Sequence, residues 1–333
     1  MVNNASGRGL MGSGRIAAPS LAVVIPSYRR GQIALDILHA LLALDETADE
    51  FLLIDQTLDH PAEVAAALQA LHDAGQVRWI RLSEPSIPHA MNVGLLEAKS
   101  EVVLFLDDDI VPDVALVAAH RQAQAEGESA LVAGRVFQPG QGSETLHAGE
   151  PFRFTSDAPT RIDEFMGGNF SVRREVALAL GGFDENFVGA AYRFEAEFAS
   201  RHVRQHGKIR YEPGAIIHHL AIPTGGTRAH GHHLRTAQPA HTVGAYYFLL
   251  RARPRGWWWQ MLWRPLRSVR TRFHLRHPWR IPPTLLAEVR GFLWALRLVR
   301  KGPKLVGVGT GLGNESQQSG ATSMDSRLRG SDG

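Results

Sequence analysis

The sequence predicts an α/β protein with a mostly parallel β-sheet flanked by helices. Short apolar runs alternate with helix-like segments along the first third of the chain. Strands and helices that alternate at this spacing form parallel sheets. Polar residues follow several of the apolar runs, and the carboxyl ends of parallel strands are the edge at which such sheets bind ligands.

The alternation can be followed in order along the chain. Residues 21–25 form a β-branched apolar run before Pro26, which predicts a strand buried on both faces that ends in a loop. The elements predicted next are a helix at 32–44, a strand at 51–54, a helix at 61–74, a strand at 77–82, a helix at 90–98 and a strand at 102–106. After residue 111 the pattern becomes less regular, with a helix at 114–126 and a strand at 130–137.

Composition limits the function classes. The chain has 333 residues, 44% of them hydrophobic and 21% charged, which is typical of a globular protein. Its net charge of +3 is too small to indicate a nucleic-acid-binding protein by itself. The absence of cysteine excludes disulfides, thiol catalysis and cysteine-bound zinc. No apolar window is long enough to span a membrane, and we expect a cytoplasmic protein.

Three consecutive acids are the strongest chemical signal. Asp107, Asp108 and Asp109 directly follow the apolar strand predicted at 102–106. In an extended chain Asp107 and Asp109 point to one side and Asp108 to the other. Such close carboxylates repel one another unless a cation or hydrogen-bond donors offset the charge. The alternative is a cap for the next helix, but a cap does not require three acids.

Four motifs in this order resemble the family 2 glycosyltransferases, which have the GT-A fold. They are VVIPSYRR, LLIDQT, PHAMNVGLLEAKSEVVLFLDDD and GGNFSVRREVALALGGFDENF. The resemblance covers about residues 21–220. It implies a hexosyltransferase-like enzyme that moves a sugar from a UDP- or dTDP-type donor to a glycan or lipid-linked acceptor. The resemblance also implies that the transfer inverts the configuration of the anomeric carbon. The alternative is a non-catalytic nucleotide- or glycan-binding protein that keeps the fold, which is suggested by departures from the family motif at Met91 and Phe194.

The resemblance also implies a nucleotide and metal site. Tyr28 would offer an aromatic surface to the base, Asp55 would accept a hydrogen bond from it, and Asp107 would contact the ribose or a metal-bound water. Asp109 would bind Mg²⁺ or Mn²⁺, since hard oxygen ligands select hard cations, and His219 would complete the metal site. The residues expected to bind the nucleotide are Pro26, Ser27, Tyr28, Asp55, Asn92, Asp107, Asp108 and Arg228.

The expected catalytic base is a glutamate near residue 195. The family motif aligns Glu195 with the base and Glu197 with a second acid. The two residues are two apart on a predicted helix and face different ways, so only one is expected to point into the site. We favour Glu195, with Glu197 as the second choice. Two solvated helix glutamates are the remaining alternative.

The C-terminal part has a different composition. From residue 251 to 304 arginine and tryptophan are interleaved and Glu288 is the only acid. This pattern fits an interfacial helix on a membrane surface, a nucleic-acid-binding segment, or packing helices with extended arginines. We favour the membrane surface and expect no nucleic acid, because a sugar-transfer domain precedes the segment.

The predicted organisation follows from these changes. A flexible leader covers residues 1–20 and the GT-A domain covers 21–235, with a nucleotide half at 21–111 and an acceptor half at 112–235. A helical basic appendage covers 236–306, and a disordered tail covers 307–333.

Overall fold

A nine-stranded sheet lies at the centre of the protein in a computed structural model, which describes residues 18–143, 151–226 and 234–307. The strands are β1 (Leu21–Ser27), β2 (Glu50–Asp55), β3 (Arg78–Arg81), β4 (Val102–Leu106), β5 (Ile110–Pro112), β6 (Leu131–Phe137), β7 (Thr160–Ile162), β8 (Asn169–Arg173) and β9 (Ile209–His219). Their order across the sheet is β3-β2-β1-β4-β8-β6-β9-β5, and β7 pairs with β9 outside this order.

Helices flank the sheet. They are α1 (Gln32–Leu42), α2 (Ala62–Asp73), α3 (Ile87–Glu97), α4 (Leu116–Ala125), α5 (Arg174–Ala179), α6 (Phe194–His206), α7 (Thr242–Ala252), α8 (Trp257–Val269), α9 (Arg272–Arg276) and α10 (Ile281–Lys301). In the part of the chain that the structure describes, none of them is long and apolar enough to cross a membrane. The predicted α/β fold with a helical C-terminal region is confirmed.

The two halves of the sheet differ in strand direction. Strands β3, β2, β1 and β4 are parallel, as the alternation of strands and helices predicts. Strand β8 is antiparallel to both β4 and β6, β6 is parallel to β9, and β5 and β7 are antiparallel to β9. The parallel part thus ends at β4, where the three acids follow.

Strand β1 continues two residues beyond its predicted end. Pro26 lies within the strand, opposite Ile54 of β2. A proline is compatible with this position because the pairing of β1 with β4 ends at Val24, so the missing N–H is not needed on that side.

Two apolar clusters lie on opposite faces of the sheet. Leu21 and Val23 belong to the cluster beneath α1, α2 and α4, whereas Ala22 and Val24 belong to the cluster beneath α3, α5 and α6. This alternation is the two-residue period of a strand that is buried on both faces. Helices α7 and α10 also contribute to the second cluster, so the C-terminal region packs on the same core as the sheet. The proposed domain limits stay predictions, and the leader and tail lie almost entirely outside the described residues.

A buried ion pair fixes α6. Arg201 donates from Nε to Oε1 of Glu197 at 2.9 Å and from Nη2 to Oε2 at 2.8 Å. Its guanidinium also donates to the carbonyl oxygens of Leu180 and Gly182, in the turn that follows α5. Glu197 is 1% exposed, so its charge depends on this one arginine.

We predict that Arg201→Ala strongly destabilises the fold. The substitution leaves the Glu197 carboxylate buried without its partner, which typically costs roughly 3–5 kcal/mol of unfolding free energy. Denaturant unfolding would measure the loss. Arg204→Ala is the control, because Arg204 is exposed on the same helix and should change stability by less than about 0.5 kcal/mol. Equal stability of the two variants would contradict a structural role for the ion pair.

Candidate active site

A cavity of about 460 Å³ opens at the end of β4, next to the end of β1. Its walls include Pro26, Tyr28 and Arg30 from the β1–α1 loop, the acids 107–109, the turn 164–168, the segment 190–196 and His219. The volume lies within the range of roughly 300–1,000 Å³ that is common for small-molecule sites. The position agrees with the strand-end location that the sequence predicts.

Three of the lining residues form a group that could hold a metal ion. Asp107, Asp109 and His219 each offer a ligand atom, and these atoms all lie within 4.8 Å of one another. The pairing of β5 with β9 sets Ile110 opposite His219, which brings the histidine to the acids. All three residues are predicted from the sequence as site residues, with Asp107 expected to contact the ribose or a metal-bound water.

The hydrogen bonding of His219 suits a cation. Its Nδ1 lies 3.0 Å from Oε1 of Gln138, an oxygen that can only accept, so Nδ1 carries the proton. Nε2 points at the acids, 3.2 Å from Oδ1 of Asp109 and 4.0 Å from Oδ2 of Asp107. When the ring is protonated, Nε2 donates to Asp109, and when the ring is neutral, Nε2 presents a lone pair to a cation. A lone pair that faces two carboxylates is favourable when a cation lies between them, and a fixed Nδ1 proton is typical of histidines that bind metals. The residues present therefore fit a divalent cation.

Asp108 turns away from this group. Its carboxylate accepts hydrogen bonds from the Ser27 hydroxyl at 2.8 Å and the Tyr28 N–H at 3.3 Å, and it lies 3.2 Å from Nε of Arg30. Burial raises its pKa to about 7, although Ser27 and Arg30 act in the opposite direction. Alternation thus predicts the separation of Asp108 from Asp107 and Asp109 correctly, although all three acids lie in the turn after β4.

Arg30 also lines the cavity, although it is not predicted from the sequence as a site residue. It is 8% exposed and donates from Nη2 to Oδ2 of Asp109 at 3.1 Å while it pairs with Asp108. Burial alone would raise the pKa of Asp109, but His219, Arg30 and the Ile222 N–H outweigh burial and lower it. The sequence feature that could have indicated Arg30 is the pair of arginines directly after VVIPSY, at the end of β1. No comparable sequence feature indicates Gln138, the partner of His219, which follows β6.

Glu195 lies in the first turn of α6 and lines the cavity. Burial raises the pKa of its carboxyl to about 7, and the negative charge of Asp107 acts in the same direction. Gly167 and Gly168 allow the carboxylates of Glu195 and Asp107 to approach the same turn. A Cβ on Gly167 would lie 2.8 Å from Oε1 of Glu195, and a Cβ on Gly168 would lie 2.2 Å from Oδ2 of Asp107. Glu195 and Asp107 therefore contact adjacent residues of one turn.

Strained backbone precedes Glu195. Ala191 and Arg193 have φ values of 50° and 74°, in the left-handed region that costs a non-glycine residue roughly 1–3 kcal/mol. The Arg193 guanidinium pairs with Glu164 at 2.8 Å and lies 4.5 Å from the centre of the Phe248 ring. These contacts hold the chain in the conformation from which α6 begins.

Other predicted site residues do not reach the cavity. Glu197 is enclosed in its ion pair with Arg201, so the structure brings Glu195 rather than Glu197 to the cavity. Asn92 donates to the Phe183 carbonyl at 2.8 Å and to Glu185 at 3.0 Å, and thereby ties α3 to the turn after α5. Ser27 acts through Asp108. Arg228 lies outside the described residues.

Asp55 is also enclosed. It is 1% exposed, and its oxygens accept from the Thr57 N–H and the Trp79 indole, both at 2.9 Å, and contact His60 at 2.6 Å. Contact of Asp55 with a nucleotide base stays a prediction. Nearby, a second cavity of about 530 Å³ shares Tyr28, Arg30 and Gln56 with the first.

Comparison with solved structures found similar proteins, among which GalNAc-T7 supports the fold. The structure of GalNAc-T7 with UDP, GalNAc and Mn²⁺ is similar to this one with a TM-score of 0.52 at 19% identity, over 61% of this chain and 44% of that chain. The Pyrobaculum calidifontis mannosyltransferase PcManGT in complex with GDP-Man and Mn²⁺ has a TM-score of 0.48 at 17% identity, over 85% of this chain and 79% of that chain. Residues 1–349 of S. aureus TarS with UDP-GlcNAc give 0.49 at 12% identity, over 85% of this chain and 92% of that chain. The chain spans less than half the length of GalNAc-T7.

A search of curated proteins found no significant match. A family model does match. The model of glycosyl transferase family 2 covers residues 22–197, just over half of the chain, and this range includes the three acids and Glu195. The chain therefore belongs to glycosyl transferase family 2.

Proposed function

We propose that the protein transfers a sugar from a UDP- or dTDP-type nucleotide-diphospho-sugar to a glycan or lipid-linked acceptor, with inversion and with a bound Mg²⁺ or Mn²⁺. The observation that carries this proposal is that Asp107, Asp109 and His219 face the same cavity as Glu195. Membership of family 2 supports sugar transfer, and the similar GalNAc-T7 structure contains UDP and Mn²⁺. We also propose that the protein acts in the cytoplasm, at the membrane face.

The proposed chemistry needs few groups. The metal, held by Asp107, Asp109 and His219, would offset the charge of the diphosphate leaving group. Tyr28 offers its ring to the base, and Arg30 holds Asp108 and Asp109 in place. Glu195 takes the proton of the acceptor hydroxyl while the oxygen of that hydroxyl bonds to the anomeric carbon of the sugar. The bond from that carbon to the diphosphate oxygen breaks, and the electron pair leaves with the nucleoside diphosphate.

We predict that Glu195→Gln lowers transfer by about 10²–10⁴-fold, the usual contribution of a general base. The amide keeps the shape of the side chain but cannot take a proton. Nucleotide binding, measured by calorimetry with UDP and dTDP, should be retained. Glu175→Gln is the control, because Glu175 is an exposed acid of α5. Transfer by Glu195→Gln at the rate of Glu175→Gln would contradict the proposed base.

We predict that kcat/KM rises with pH and levels off above about 7. Glu195 has a pKa of about 7, so its carboxyl is protonated below that pH and cannot act as a base. Initial rates between pH 5.5 and 8.5 would show the change, and a flat profile would exclude Glu195 as the base. Asp108 has a pKa in the same range, so donor affinity should be measured at each pH to separate its effect.

We predict that His219→Gln and Asp109→Asn each lower Mn²⁺ affinity by at least about tenfold, because loss of even a hydrogen-bonding partner of a metal ligand typically costs about 10–100-fold. Titration of Mn²⁺ followed by electron paramagnetic resonance measures binding without any need for turnover. Glu164→Gln is the matched control, since Glu164 also lines the cavity but does not belong to the three-ligand group. Equal Mn²⁺ affinity in all three variants would contradict the metal site.

The alternative is a protein that binds a nucleotide or glycan without catalysis. It would bind UDP or dTDP but would not break the sugar–phosphate bond. Slow, metal-dependent release of free sugar from a UDP- or dTDP-sugar would separate the two functions, because only an enzyme activates this bond. The position of Glu195 in the same cavity as Asp107, Asp109 and His219 favours the enzyme, since a binding protein has no need for an acid beside a group that could hold a metal.

A further inference from the structure

Helix α8 presents its apolar side to solvent. Five large apolar residues on one face of the helix are exposed by 40–63%, and they are Trp258, Trp259, Leu262, Trp263 and Leu266. Their spacing of one, three and four residues places them on a continuous stripe of an α-helix. No residue of α8 is buried. A surface helix normally directs such a stripe to the core, so this orientation requires an explanation.

Specific contacts hold α8 in this orientation. Arg264, on the flank of the helix, pairs with Glu288 of α10, with Nε 3.1 Å from Oε2. The same guanidinium lies 5.3 Å from the centre of the Tyr246 ring of α7. Trp257 and Met261 pack against the core cluster. Because Glu288 is 2% exposed, this ion pair fixes the rotation of α8 and keeps the apolar stripe outward.

The surroundings of α8 are strongly basic. Between residues 251 and 304 the sequence contains twelve arginines and two lysines, and Glu288 is the only acid. Glu288 is already paired with Arg264. Exposed arginines lie near both ends of the helix, for example Arg255 and Arg270. The apolar stripe is therefore bordered by positive charge that no neighbouring acid in this segment offsets.

We propose that this face of α8 binds the surface of an anionic lipid bilayer. Tryptophan favours the boundary between headgroups and acyl chains, leucine favours the acyl region, and arginine pairs with lipid phosphates. A nucleic acid would also suit tryptophan and arginine, but it offers no apolar surface to Leu262 and Leu266, which share the stripe. The helix lies on the membrane and does not cross it.

The docking surface adjoins the active site. A cavity of about 580 Å³ lies between α7, α8 and α10, and Arg264 and Arg267 of α8 line it. Tyr192 and Arg193 line both this cavity and the active-site cavity. A docked helix would therefore bring a membrane-borne acceptor next to Glu195. Docking itself does not depend on the proposed function, whereas delivery of the acceptor does.

Flotation with lipid vesicles tests the proposal. The full chain is mixed with vesicles of phosphatidylglycerol and phosphatidylcholine, or of phosphatidylcholine alone, and we expect binding only to the anionic vesicles. The triple variant Trp258→Ala, Trp259→Ala, Leu262→Ala should bind at least about tenfold more weakly, because three exposed side chains lose their contact with the acyl region. Val114→Ala is the control, since Val114 is 77% exposed and lies outside the C-terminal region.

A second variant tests the charge. Arg255→Gln combined with Arg270→Gln should weaken binding to anionic vesicles by about fivefold per charge, which corresponds to about 1 kcal/mol for each arginine near the surface. Cooperative thermal unfolding of every variant, followed by circular dichroism, shows that the chain is folded, and binding of UDP and dTDP is read separately from vesicle binding. Failure of nucleotide binding in the wild-type chain would count against the proposed function and leave the docking result intact.

Three results would overturn the proposal. The first is that the wild-type chain does not bind anionic vesicles. The second is that the triple variant binds these vesicles as tightly as the wild-type chain. The third is that the wild-type chain binds a single-stranded oligonucleotide more tightly than the vesicles and that the triple variant loses this binding. The last result would assign the surface to nucleic acid.

Discussion

The structure of the site depends on how three carboxylates are accommodated at the end of the buried strand β4. Asp108 and Asp109 are 7% and 2% exposed, so their charge must be compensated within the protein. Arg30 from the β1–α1 loop contacts both, Ser27 holds Asp108, and His219 from β9 faces Asp109. The need to compensate these acids joins segments that are far apart in the sequence. It also separates Asp108, which organises the loop, from the pair that faces the cavity.

A second constraint brings Glu195, the proposed base, to the same cavity. The turn at Gly167 and Gly168 leaves no space for a side chain, so Glu195 and Asp107 can approach adjacent residues. The left-handed conformations of Ala191 and Arg193 aim the start of α6 at this turn. Backbone strain of this kind persists only where surrounding contacts enforce it, and here Glu164 and Phe248 hold Arg193. Position and burial together give Glu195 a pKa suited to proton transfer near neutral pH.

The sequence predicts the parallel half of the fold well because its signals are local. Each apolar run is followed by a helix, and each strand end carries polar residues, so β1 to β4 and the three acids can be placed without knowledge of long-range contacts. Arg30 and Gln138 are not predicted, because their partners Asp109 and His219 lie 79 and 81 residues away. Asn92 is predicted to bind the nucleotide, but its amide is held by the carbonyl of Phe183, 91 residues away. Asp55 is enclosed by Trp79, 24 residues away, and its contact with a base stays a prediction. Glu197 pairs with Arg201, four residues along the same helix. Strand β8 is not among the elements predicted from the sequence, because it begins at Asn169 directly after Gly167 and Gly168, and such a run is typical of a turn. In the structure Asn169 is buried, and it donates to the carbonyl oxygens of Arg135 and Ala215.

The cavity shared through Tyr192 and Arg193 has an evolutionary consequence. Most of its walls come from residues beyond 234, outside the segment that matches the family, whereas Asp107, Asp109 and Glu195 lie inside that segment. Substitutions in α7, α8 and α10 can reshape this cavity while they leave the proposed metal ligands and the proposed base untouched. Divergence of these helices is therefore a route by which chains that share these acids and this glutamate could come to accept different molecules.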